Sequence, residues 1–319
     1  MEEDSEGLRE RAMPTDASRA QLWSIGGGKG GIGKSLVTLG LGVALARLGK
    51  KVILIDGDLG GANLHTLMGV RYPHVRLEHF LTKKVARLED TIIDTSVEGI
   101  GLICGADNLL GSANPSYDQK MRLLKEIEAL PAEYVLMDLG AGTSFNTLDF
   151  FNYAGGKITL FTSQAPSLVN AYGFIKSALY RKLFLHFAGD DEILQLIYRG
   201  GGAGGESGIH SMRDLLNHFE AADPERHARI SQVLRDFHLF LVINMVKSTA
   251  DLKYAEIIGS LCQDSLCIQP EIIGHVAFDS EVEPSISQMM PFPLYHKKSR
   301  AMAGLDQAAL RLVQETRVL

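Results

Sequence analysis

Gly26-Gly27-Gly28-Lys29-Gly30-Gly31-Ile32-Gly33-Lys34-Ser35 stands between an apolar run, Leu22 to Ile25, and a helix-forming stretch over 35–48. In that strand-loop-helix order the backbone amides of the loop face whatever lies above the helix N-terminus. Free N–H groups and the helix dipole favour an anion there. From Gly28 to Ser35 the spacing satisfies G-x-x-x-x-G-K-[ST]. In this pattern the backbone of Gly28, Gly30, Gly31, Ile32 and Gly33 wraps a phosphate, Lys34 reaches the β- and γ-oxygens, and the Ser35 hydroxyl is offered to Mg2+. The expected ligand is a nucleoside triphosphate with its magnesium ion.

Outward from this loop, short apolar runs alternate with helical patterns. The runs are Leu22 to Ile25, Lys51 to Ile55, Ile100 to Cys104, Tyr134 to Met137, Ile158 to Phe161, Leu239 to Ile243 and Ile272 to Val276. Helices are expected over 35–48, 116–130, 143–154, 167–187, 249–264 and 299–316. Runs apolar on both faces, with helices between them, predict an α/β fold: a doubly wound, mainly parallel sheet flanked by helices. A ligand then belongs beyond the carboxyl ends of the strands. Residues 1–20 are polar, carry Pro14 and are expected to be a flexible tail. Residues 21–319 are expected to form one domain, interrupted by an insert over 189–236. The insert holds the glycine run from 199 to 208, then His210, His218 and His227. With no Lys-Ser/Thr after it, that run is expected to be a hinge rather than a second phosphate loop. The histidines lack a tight metal-ligand spacing and are expected on exposed helix surface.

A chain of 319 residues that is 45% hydrophobic and 22% charged has the make-up of a soluble globular domain. Its net charge of -6 argues against nucleic-acid binding through overall charge. The cysteines Cys104, Cys262 and Cys267 form no even framework and no C-x-x-C pair, so they are expected to be reduced apolar fillers in the cytosol. The charged start lacks the apolar core of a signal peptide, and no apolar run reaches about 18 residues, which leaves only peripheral membrane contact.

Acidic residues follow two of the predicted strands. Asp56 and Asp58 stand in Ile55-Asp56-Gly57-Asp58-Leu59, and Asp138 closes Tyr134-Val135-Leu136-Met137-Asp138. Carboxylates on the same sheet edge as the phosphate loop can hold magnesium through water or orient an attacking water. Gly140 and Gly142 behind Asp138 let the following loop respond to the γ-phosphate.

With Lys29 after Gly28, Lys-Gly-Gly-Ile-Gly-Lys-Ser resembles the deviant Walker A of the MinD/ParA family of P-loop ATPases. The resemblance implies ATP and Mg2+ as ligands and ATP hydrolysis with weak basal activity. It also implies an ATP-dependent homodimer in which Lys29 reaches the phosphates of the neighbouring subunit. It makes Asp58 the residue that positions water at the magnesium shell, with Asp56 able to share that role, and Asp138 the Walker B carboxylate. Leu241-Val242-Ile243-Asn244-Met245-Val246 resembles the family's strand-end segment, whose asparagine, here Asn244, hydrogen-bonds adenine; capping of the next helix is its other reading.

Further likeness lies in Ser163 to Lys176, where Ala165 and Asn170 stand in place of the family's acids. It also lies in Gly274 to Val282, where Ala277 stands in place of a proline. Asp56 to Asn63 and Asn244-Met245-Val246 look most like the branch that holds the flagellar-number regulators FlhG/FleN, followed by MinD. The implied task is spatial or numerical regulation of a cellular machine, with a protein partner or activator, in the cytoplasm or at the inner face of the membrane. Leu305 to Leu319 is either a membrane-surface helix or a docked packing helix. The insert is read as a partner platform. Two other readings keep the fold: an ATP-dependent synthetase or amidotransferase-type enzyme, and a DNA-partition ATPase. An iron-sulfur carrier is disfavoured by the missing C-x-x-C.

Overall fold

A computed structural model describes residues 20–106, 115–201 and 211–316. The expected tail up to residue 19, the glycine run from 202 onward and His210 lie outside the described residues. The elements are β1 (Gln21–Gly26), α1 (Lys34–Arg47), β2 (Val52–Asp56), α2 (Leu64–Leu67), α3 (Leu77–Leu81), β3 (Ile92–Asp94), β4 (Ile100–Ile103), α4 (Tyr117–Glu128), β5 (Tyr134–Asp138), α5 (Phe145–Tyr153), β6 (Gly156–Thr162) and α6 (Ala165–His186). There follow α7 (Asp191–Gly201), α8 (Met212–Ala222), α9 (Pro224–Arg235), β7 (Leu239–Val246), α10 (Lys253–Leu261), β8 (Glu271–Ala277), α11 (Val282–Ser287), α12 (Phe292–Tyr295) and α13 (Arg300–Glu315).

The strands form one eight-stranded sheet in the order β3-β4-β2-β5-β1-β6-β7-β8. Every neighbouring pair is parallel except β3 with β4. Each of the seven apolar runs lies on a strand, and all but the edge strand β8 are buried on both faces. β3 is missing from the sequence reading because an edge strand of three residues has no period to detect. The expected helix over 249–264 is a 3-10 turn, α10 and a π turn in succession.

Alternation along the strands divides the core. Leu22, Ile53, Ile55, Val135 and Met137 face one layer, with α4 to α6 and α10. Trp23, Ile25, Val52, Leu54 and Leu136 face the other, with α1 and α13. Two glycines let α1 settle between the sheet and α13: a Cβ on Gly42 would lie 2.7 Å from a Leu54 methyl, and one on Gly40 would lie 2.4 Å from a Leu305 methyl.

The insert is built into the first layer. Ile193 and Ile197 of α7, Met212, Leu215 and Phe219 of α8, and Ile230, Val233 and Leu234 of α9 are buried in the same core cluster as the sheet. Removing this segment would open that core. His218 is exposed on its helix, as expected, whereas His227 is half-buried.

α13 packs its apolar face inward, burying Ala301, Met302, Leu305, Ala308, Ala309 and Leu312. A Cβ on Gly304 would fall 2.1 Å from the His275 carbonyl oxygen, so α13 rides directly on β8. Of the two readings for this segment, docked packing describes residues 305–316. Among the described residues no helix is long and apolar enough to cross a membrane.

Candidate phosphate site

The loop between β1 and α1 is braced from below and open above. Gly31 and Gly33 adopt φ values of 76° and 87°, the left-handed region that favours glycine. At Gly28 a Cβ would lie 2.2 Å from the Asn170 carbonyl oxygen of α6, and at Gly33 one would lie 2.4 Å from the Asn244 amide nitrogen. Around Gly30 and Gly31 nothing stands within 4 Å of the Cβ position, so the crown of the loop has room for a ligand. Ser35 follows on the first turn of α1.

Asn244 sits at the end of β7, buried, and its Nδ2 donates to the Ile32 carbonyl oxygen at 2.7 Å. This brace is absent from the sequence reading because the partners are 212 residues apart and no local signal joins them. No hydrogen bond joins Asn244 Oδ1 to a described residue.

Lys34 is 9% exposed and shares its surroundings with carboxylates. Burial lowers its pKa, while Asp138 and Asp58 raise it. The β2–β5 register sets Asp56 beside Asp138. Asp56 accepts from the Leu64 amide at 2.8 Å and the Asp58 amide at 3.2 Å. Burial pushes its carboxyl up to about 6, against those hydrogen bonds. Asp138 is pushed up to about 7, chiefly by burial and then by Asp56, with Ser35 and Lys34 acting the other way.

A carboxyl raised above its ordinary 3.8 binds its proton more tightly in the folded chain than in the unfolded one. Its stabilising contribution is full below that ordinary value and is lost as pH rises through about 6 for Asp56 and about 7 for Asp138. The ligand-free chain is therefore expected to melt at progressively lower temperature from about pH 5 to about pH 8, and Asp138→Asn is expected to flatten that slope. Parallel slopes for the two proteins in a melting series would contradict the assignment.

Asp58 is half-buried, and its Oδ1 accepts from the Gly60 amide at 3.2 Å. Gly140 faces it, and a Cβ there would lie 3.2 Å from the Asp58 carboxyl carbon. The loop behind Asp138 is tied to the phosphate loop, since Gly142 N–H donates to the Gly27 carbonyl at 3.3 Å. Lys29 alone among the charged candidates is exposed, with no hydrogen bond or ion pair to another described residue.

The donor set fits a magnesium ion held with a nucleotide. The Ser35 hydroxyl is close enough to the Asp138 carboxyl to lower its pKa, so a hydroxyl and a hard anionic oxygen converge near Lys34. Among the described residues no group of three or more His, Cys, Asp or Glu side chains forms a metal cage. Mg2+ suits such a sparse site because it keeps several waters and takes further oxygens from phosphates.

A family model described as the CobQ/CobB/MinD/ParA nucleotide binding domain matches residues 23–292. An uncharacterized ATP-binding protein of Methanocaldococcus jannaschii is 31% identical over 193 residues, which is 60% of this chain and 69% of that protein. The antiactivator FleN of Pseudomonas aeruginosa is 28% identical over 158 residues, 49% of this chain and 55% of its own length. The chain thus spans about half of that relative. Among solved structures, the septum site-determining protein MinD of Pyrococcus horikoshii complexed with Mg-ADP has a TM-score of 0.62, covering 92% of this chain and 96% of that one. Its 18% identity makes this a likeness of fold alone.

Proposed function

The chain belongs to the family of the CobQ/CobB/MinD/ParA nucleotide binding domain, and from that premise we propose that it is an ATPase working as an ATP-dependent dimerisation switch. ATP with Mg2+ occupies the crown of the phosphate loop. Ser35 and Asp138 hold the metal shell, Lys34 holds the terminal phosphoryl oxygens, and Asp58 orients the water. Asn244 offers Oδ1 to the exocyclic amine of adenine while its Nδ2 keeps the loop in place. Positioning and neutralisation of phosphoryl charge are the tasks such a site must perform. A protein partner reads the ATP-bound dimer and sets its lifetime, in regulation of the placement or number of a cellular machine. We place this work in the cytoplasm; peripheral membrane contact would need a surface other than the buried face of α13.

The observation that supports this reading most is the contrast between the loop's lysines. Lys34 is buried among carboxylates of its own chain, whereas Lys29 is exposed at the crown and unpaired among the described residues. A cation left over beside a site for a polyanion has its natural counter-charge on a second subunit's nucleotide.

Size-exclusion chromatography with light scattering tests the reading. Wild type is expected to be monomeric with ADP and dimeric with ATP and Mg2+, and Lys29→Ala is expected to stay monomeric in both. A Lys29→Ala protein that dimerises and hydrolyses ATP as wild type does would overturn the arrangement.

A further inference from the structure

At the amino-terminal ends of β7 and β8, the end of the sheet away from the phosphate loop, the insert closes over a cavity of about 380 Å³. α8 and α9 supply one wall; the starts of β7 and β8 and the turn before β8 supply the other. That volume falls in the range of small-molecule sites, about 300–1,000 Å³. The floor is apolar, since Leu234, Phe237, Leu239 and Ile268 line it and are buried.

The rim carries cationic groups without carboxylate partners. Arg235 closes α9, and its Nη2 donates to Gln232 Oε1 at 2.6 Å, yet it forms no ion pair with a described residue. His238, also in the lining, forms no hydrogen bond to a described residue. Two lysines lie against the Phe237 ring, Lys157 Nζ at 5.8 Å and Lys182 Nζ at 5.6 Å from its centroid. Both donate to main-chain carbonyls: Lys157 to Ala154 and Gly155 at 2.6 and 3.3 Å, Lys182 to Asp236 at 2.9 Å. The Asp236 carboxylate is occupied by the Gln232 amide at 2.9 and 3.0 Å. Burial lowers the His238 pKa, and Lys157 and Lys182 lower it further while Asp236 acts the other way, so positive charge predominates around this residue. Glu271 is the one acid in the lining among the described residues. Burial and then Glu315 raise its pKa, so it opposes an anion less than an ordinary carboxylate does.

We propose that this cavity binds a small organic anion, a carboxylate on an apolar body, with the carboxylate at Arg235 and His238 and the body against Phe237 and its neighbours. A guanidinium fork matches a carboxylate in geometry and charge. The apolar floor offers nothing to a bare inorganic ion, whereas a hydrocarbon body gains from leaving water there. The site is separate from the nucleotide reading and stands whether or not the chain hydrolyses ATP.

Calorimetric titration of the full chain with phenylacetate, and with phenylacetamide as its uncharged counterpart, tests the class of ligand. Wild type is expected to bind the acid and to bind the amide about 10-fold or more weakly, the scale of a hydrogen bond to a charged group. Arg235→Ala, a change at an exposed helix end, is expected to reduce affinity for the acid to that for the amide, and Glu271→Gln to increase it. The Cys267 thiol reports the location, because it borders the cavity and is half-buried, whereas Cys104 and Cys262 are fully buried with thiols pushed up to about 12. Phenylacetate is expected to slow alkylation of Cys267 by iodoacetamide. Wild type that binds neither compound, or both equally, would overturn the proposal. Acid binding that leaves Cys267 unprotected and survives Arg235→Ala would place the acid elsewhere and overturn it as well.

Discussion

Replacing Asp58 by Ala is expected to leave ATP binding in place and to slow turnover by about 100-fold or more, the range seen when a group acting on the reacting water is removed. The expectation follows from how the neighbouring carboxylates are occupied. Asp56 is fully buried, and its oxygens accept from the backbone amides of Leu64 and Asp58. Asp138 is buried beside Asp56 and its Oδ1 accepts from the Thr38 hydroxyl at 3.5 Å. Asp58 is half-buried and faces the space left by Gly140, so it keeps a carboxylate oxygen within reach of solvent.

Single-turnover phosphate release, with light scattering to follow the dimer, separates binding from chemistry. Asp58→Ala should accumulate as the ATP-bound dimer. Asp56→Ala should instead lose the loop over 57–64 and bind nucleotide poorly. If Asp58→Ala hydrolysed normally while Asp56→Ala bound ATP and failed to turn it over, the water would belong to Asp56.

Loss of Asp149 is expected to be the most damaging single change to stability outside the site. Its carboxylate is 2% exposed and receives Lys120 Nζ at 2.5 Å, with Arg181 Nε at 2.8 Å and Nη2 at 3.2 Å. These residues lie on α5, α4 and α6, so one carboxylate joins three helices of the same layer. In Asp149→Ala the buried Lys120 ammonium is left without its partner. Breaking a buried pair from one side costs about 3–5 kcal/mol, because an uncompensated charge stays in a medium that solvates it poorly.

Urea unfolding should show that loss as a lower midpoint, with Asp149→Asn intermediate because it keeps hydrogen-bond acceptors without the charge. A loss below about 1 kcal/mol would mean that water reaches Lys120 and that the layer does not depend on the pair. α5 begins directly after the loop that carries Gly140 and Gly142, and the Arg181 guanidinium lies 4.6 Å from the ring centroid of Phe145 at its first position. The same arginine thus ties the start of α5 to α6.

The phosphate loop was legible because its chemistry is written in consecutive residues. A strand, a glycine-rich turn and a helix N-terminus must meet within a few peptide units, and Lys34 and Ser35 must follow at fixed positions. Asp138 was legible for a related reason: an apolar run ending in an acid puts that acid at the strand's carboxyl end. Six of the seven principal strands were legible because burial on both faces leaves unbroken apolar runs; the edge strand β8, buried only at Ile273 and Val276, was legible from its apolar residues alone. Short elements such as β3, α2 and α11 carry too few residues to display a period.

The sequence by itself determined the fold class, the strand positions and the glycine-rich loop between β1 and α1, since backbone geometry over a few residues dictates them. Tertiary structure alone decided that Asn244 braces Ile32, that Asp56 is locked while Asp58 faces open space, and that Asp149 is shared by helices α4, α5 and α6. It alone decided, too, that the apolar face of α13 is covered by α1 and β8 and that the insert belongs to the main core. Each of these depends on which faces meet across distant parts of the chain, and an amphipathic helix or a buried amide looks the same in sequence whichever partner covers it.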